Sequence, residues 1–134
     1  MNSHASHLEQ ELTDKTLTQT ALHQAALQIA QQLTQALESG QEFEPLTKQL
    51  DATMQQVRTL EPELQELRTA WNASNSTAGP ELKQAVEQAK TVLLALMGAI
   101  AQSESLMQNA KSRMMPELSQ EARFAKMRQT YTSR

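Results

Sequence analysis

Residues 43–71 read FEPLTKQLDATMQQVRTLEPELQELRTAW. Phe43, Leu46, Leu50, Met54, Val57, Leu60, Leu64, Leu67 and Trp71 recur there at steps of three or four. Residues so spaced share one face of an α-helix, and a strand would need alternation by two. Heptad-like spacing sustained this long predicts a long helix packed at a shallow angle against another. Pro45 suits its first turn, where the missing N–H costs nothing. Pro62 falls inside it, removing one backbone hydrogen bond at a cost of ~3 kcal/mol. The stripe passes Pro62 in phase, which predicts a kink, or a break with immediate restart.

Similar patterns flank this segment. Upstream, about Leu12 to Ser39, Leu22, Ala26, Ile29, Leu33 and Leu37 form a stripe among glutamines, and Ser39-Gly40 is a stop signal. Downstream, NASNSTAG (72–79) is a run of loop formers, and Pro80 opens a third helix. Leu82, Ala85, Val86, Ala89, Leu93, Leu96, Ile100, Leu106 and Met107 line its broad face. From Pro80 to Lys111 that helix would be about 48 Å long. Around VLLALMGAIA (92–101) it is apolar on most sides, so its middle is expected to be covered by more than one neighbour. Met97 is expected to fill the core there. Gly98 costs about 1 kcal/mol against alanine in a helix, which suggests a close helix crossing. Pro116 ends or kinks the third helix.

The expected fold is all-α: an elongated antiparallel bundle of three long helices with a short C-terminal helical or disordered tail. Residues 1–11 are expected to be a flexible N-terminus, 12–115 the bundle and 116–134 a basic amphipathic tail.

Composition agrees with this class and narrows the function. The chain has 134 residues, room for one domain, with 39% hydrophobic residues, only 3% aromatic and three glycines. It has no cysteine, which excludes disulfides and thiolate chemistry. MNSHASHLEQEL (1–12) lacks the basic-then-apolar pattern of a secretory signal, and no run approaches the roughly 18 apolar residues of a membrane span. A soluble cytoplasmic protein, not inserted in a membrane, is expected.

Net charge is −3, unevenly spread. Residues 1–110 hold six Lys and Arg against thirteen Asp and Glu, a balance of −7; residues 111–134 hold six against two, a balance of +4. The acidic body should repel nucleic acid.

Catalytic and metal motifs are sparse. His4 and His7 could share a helix face as a metal pair, but they fall in the expected flexible N-terminus. Glu61, Glu63 and Glu66 cluster near Pro62, a pattern more typical of a solvated helix face than of acid–base work. There is no Ser-His-Asp arrangement, Gly-rich phosphate loop or HExxH. A di-iron carboxylate bundle needs Glu-x-x-His pairs, and none occurs. No cofactor, no metal and no enzymatic activity are expected. Trp71 suits a cap on the end of the bundle core, or a binding anchor.

Five of the seven methionines (Met97, Met107, Met114, Met115 and Met127) lie in the last forty residues. Methionine is flexible and polarizable, and surfaces that bind several helical partners use it. In the tail, Phe124, Met127 and Tyr131 share one face at helical spacing. An isolated helix of that length is marginal in water and should fold when docked.

The order of a long first helix, the Leu-rich segment ALESGQEFEPLTKQLDATMQQVRTLEPELQELRTAW, a loop, a third helix and a tail bearing tyrosine resembles the FlgN-type flagellar export chaperones, and more loosely the FliT type. The turn at Glu38-Ser39-Gly40-Gln41-Glu42 and an arginine late in the second helix, Arg58 or Arg68, are similar to that family. Pro62 and the many glutamines depart from it. The resemblance implies a chaperone that binds the C-terminal helical segments of hook–filament junction proteins (the FlgK and FlgL type) and delivers them to the export gate, as a monomer or weak dimer. It implies client binding by Leu106, Met107, Met114, Met115 and Leu118, and gate binding by Phe124, Met127 and Tyr131. A non-enzymatic coiled-coil adaptor or self-associating structural protein is the alternative.

Overall fold

The computed structural model describes residues 3–114 and Arg128. All regular structure among them is helical: α1 (Ser3–Glu38), α2 (Glu44–Ala73) and α3 (Pro80–Met114). The chain is an all-α bundle, as the spacing predicts.

α1 is the central helix. α2 and α3 each run close along it, while their own backbones scarcely approach one another. Side chains join the three in two clusters. Toward the α1–α2 turn, Ala26, Leu33, Leu37, Leu50 and Leu96 are buried together, with Phe43, Leu46, Met54 and Ile100 packed against them. Toward the α2–α3 loop, Leu12, Leu64 and Leu82 form a smaller cluster under Leu60, Leu67, Trp71 and Ala78.

The turns follow their chemistry. Gly40 has φ +71°, the left-handed conformation glycine takes without Cβ strain, and Gln41 N–H donates to the Ala36 carbonyl at 2.8 Å. That bond satisfies a carbonyl the helix end would otherwise strand. Ser74 Oγ donates to the Trp71 carbonyl at 2.6 Å and accepts from Ser76 N–H at 3.4 Å, closing α2.

Four expectations are corrected or narrowed. Residues 3–11 of the expected flexible N-terminus are the first turns of α1: Ala5 is buried, and Glu9 Oε1 accepts from Gly79 N–H at 3.2 Å. The first turns of α1 are thereby tied to the α2–α3 loop. Of the two outcomes expected at Pro62, a kink or a break, the break does not occur: one helix continues through it to Ala73. Leu64 is wholly buried and Leu60 and Leu67 pack beside it, so burial on both sides of the proline offsets the lost hydrogen bond. The middle of α3 is not covered on most sides: Leu96 is buried in a cluster with residues of α1 and α2, but Leu94 is 70% exposed and Met97 59%, so Met97 is no core filler. Gly98 marks no close crossing, because a Cβ there would meet nothing within 4 Å.

Gly98→Ala should therefore stabilise the protein by about 0.5–1 kcal/mol, the helix-propensity difference in an open interior position. Urea unfolding followed by circular dichroism checks this. A lower midpoint would mean that something does cross α3 at Gly98.

The buried face of α1 is the least anticipated feature. Leu12, Thr16, Gln19, His23, Ala26, Ala30, Leu33 and Leu37 are all buried and step alternately by four and three. The stripe thus continues N-terminal of Ala26, but between Leu12 and Ala26 its members Thr16, Gln19 and His23 are polar. Leu17, off that stripe, is 44% exposed.

Candidate functional site: an open groove between α2 and α3

Because α2 and α3 diverge over α1, a groove of about 720 Å³ opens near the α2–α3 loop. Its floor is the polar stretch of α1: Thr16, Gln19 and His23, with Leu12 at one end. Arg68 and Trp71 form the α2 wall; Leu82, Val86 and Leu93 the α3 wall. Val86 and Leu93 are exposed and seven residues apart, so they rise from one face of α3. Met97, one turn further, extends the same apolar line.

A polar network holds the floor against α2. Gln19 Nε2 donates to Glu61 Oε2 at 2.9 Å, and Arg68 Nη1 pairs with Glu61 Oε1 at 3.1 Å. Arg68 Nη2 also reaches Gln19 Oε1 at 3.5 Å, and Lys15 pairs with Glu63 at 3.3 Å. These contacts give Glu61 and Glu63 structural partners. On the α3 side, Thr34 and Ser103 hydroxyls lie 2.9 Å apart, and both approach the Ala30 carbonyl, at 3.0 and 3.1 Å.

His23 is 5% exposed, and its Nδ1 is buried with no hydrogen-bond partner among the described residues. Burial pushes its pKa below the ordinary 6.5, against the opposing pull of the Glu61 charge. The imidazole is therefore favoured in its neutral form.

The sequence-based candidates lie elsewhere. Leu106 and Met107 are half-buried and pack against the cluster at the α1–α2 end, some way up α3 from the groove. Met114 is the last residue of α3, with its side chain outside the described residues. Met115, Leu118, Phe124, Met127 and Tyr131 also lie outside the described residues. Trp71 is half-buried, packing on the Leu12–Leu64–Leu82 cluster as a cap on the core would, and it also lines the groove. His7 lies 3.2 Å from Glu11 on an exposed face. No group of three or more possible metal ligands, and no helix long and apolar enough to cross a membrane, occurs among the described residues.

The groove residues on α3 were visible in the sequence only as members of a broad apolar face. The available signal was its width: Leu82, Ala85, Val92 and Leu96 suffice to bury one side, and Val86, Leu93, Leu94 and Met97 exceed what one neighbour covers. No protein-family model, curated protein or solved structure matches the chain.

Proposed function

We propose that this chain is a non-enzymatic, cytoplasmic helix-binding chaperone of the flagellar type III export kind. It binds the C-terminal helical segments of hook–filament junction proteins, of the FlgK and FlgL type, and delivers them to the export gate. The single observation that carries this reading is the open groove. Three helices enclose two clusters yet leave Trp71, Val86 and Leu93 beside an apolar line that runs on to Met97. An amphipathic client helix laid between α2 and α3 would complete a four-helix arrangement. Burial of its apolar face, at about 25 cal/mol per Å², supplies the drive, less the cost of ordering the client.

The resemblance to FlgN-type chaperones supplies the client class, and it keeps Phe124, Met127 and Tyr131 as the gate-binding candidates. Leu106, Met107, Met114, Met115 and Leu118 stay client candidates as an extension of the contact toward the tail. A second reading, a self-associating adaptor, is favoured by the exposure of Leu94 and Met97, which a second copy could cover.

Calorimetric titration separates the two. Full-length protein, and a chain truncated after Met115, are titrated with C-terminal segments of junction proteins of the FlgK and FlgL type. Micromolar or tighter binding is expected, altered by the truncation. No binding by either, together with a mass that rises with concentration, would replace the chaperone by the adaptor.

A further inference from the structure

We infer that the groove selects a partner helix whose apolar stripe is flanked by acidic side chains. This rests on the helix-binding reading above and adds the chemistry of the ligand.

The charge distribution carries it. Residues 1–110 contain thirteen acids and six Lys and Arg. The groove inverts that balance: Arg68, Lys83 and Lys90 line it, against Glu87 as its one acid among the described residues. With Glu61 counted beside its partner Arg68, three cations face two acids there, whereas residues 1–110 as a whole hold six cations against thirteen acids. Arg68 is engaged with Glu61, but Lys83 and Lys90 are exposed and have no ion pair among the described residues. They are seven apart on α3, as are Val86 and Leu93. Lys83 and Lys90, with Glu87 between them, thus form a charged line of net +1 that runs beside the apolar line for two turns. A helix docking its apolar stripe on Val86, Leu93 and Met97 would bring its flanking positions beside the two ammonium groups, as e and g positions meet in a coiled coil.

The same charges disfavour the other occupants. Residues 111–134 carry a balance of +4, so the chain's own C-terminal segment would bring cations to cations. A second copy related by a two-fold axis would set Lys83 and Lys90 against the same face of its twin.

Trp71 is the chain's one tryptophan, so its fluorescence reports on the groove wall. Full-length protein would be titrated with two synthetic helices of about 20 residues, long enough to fold on docking. Both carry the same Leu and Met stripe; one has Glu and the other Lys at the flanking positions. The Glu helix is expected to bind about tenfold more tightly at low salt, an advantage that shrinks at high salt. The double variant Lys83→Glu, Lys90→Glu should reverse the preference, and circular dichroism confirms that it folds, since both sites are exposed.

Equal affinity of the two helices for the wild-type protein overturns the inference and leaves the helix-binding reading intact. Failure of both helices to perturb Trp71 or to bind overturns both. A peptide of residues 116–134 that binds more tightly than the Glu helix makes the chain its own occupant. A Trp71 change that tracks protein concentration alone makes the occupant a second copy. Either result overturns the acidic-partner inference.

Discussion

Leu64→Ala is expected to cost about 2–5 kcal/mol of folding stability, the range for truncating a fully buried leucine. Leu64 has no exposed surface and sits with Leu12 of α1 and Leu82 of α3 in the smaller cluster. Its removal opens a cavity at the end of the bundle where few other apolar residues are buried, because the adjoining face of α1 is Thr13, Thr16, Gln19 and Thr20. It also weakens what carries α2 past Pro62, two residues away, where a hydrogen bond is already missing. Domains are typically stable by about 5–15 kcal/mol, so the loss is a large share of the whole. Urea unfolding followed by circular dichroism and by Trp71 emission measures it. Leu94→Ala is the control, since Leu94 stands mostly in solvent and should change stability by less than about 0.5 kcal/mol. If the two variants behave alike, α2 is not held at Pro62 by this cluster.

The contrast between α2 and the other helices shows what the sequence can and cannot convey. In α2 the buried residues Leu50, Val57 and Leu64, and the half-buried Met54, Leu60, Leu67 and Trp71, belong to the stripe its spacing displays. Each is apolar, so hydrophobic periodicity finds them. In α1 the periodicity is equally regular, but Thr16, Gln19 and His23 occupy the buried positions, and a hydrophobic pattern is blind to them. They betray themselves only through partners far along the chain, such as Glu61 for Gln19. In α3 the opposite confusion arises. Val86, Leu93 and Met97 look like core residues because periodicity reports a face without saying which neighbour covers it. The groove exists because α2 keeps away from α3, and that depends on how two separate stripes divide the surface of α1. The open groove follows from pairing among helices, which no single stripe encodes.

His23→Leu is expected to raise stability by about 1–3 kcal/mol near neutral pH, the usual cost of a buried polar atom without a hydrogen bond. Leucine is of similar size, and the position lies on the stripe that runs from Leu12 to Leu37. The pH dependence gives an independent check. The folded-state pKa of His23 is lowered, chiefly by burial, while the unfolded chain keeps the ordinary value of 6.5. As pH falls through that value the unfolded chain takes up the proton first. The His23 contribution to stability is therefore intact above about 6.5 and is lost as pH drops toward the lowered folded value. His23→Leu should flatten the stability profile across that window while leaving the carboxylate-driven loss at lower pH. A substitution that stabilises the fold and removes a titration raises the question of what the histidine is for, since residues that cost stability tend to sit where activity needs them. His23 forms part of the groove floor, so the same variant should be titrated with the Glu-flanked helix. Gained stability with weakened binding would mark the polar floor as a feature of recognition. Unchanged or reduced stability would mean that Nδ1 finds a partner in solution, and that Thr16, Gln19 and His23 belong to the framework of the bundle.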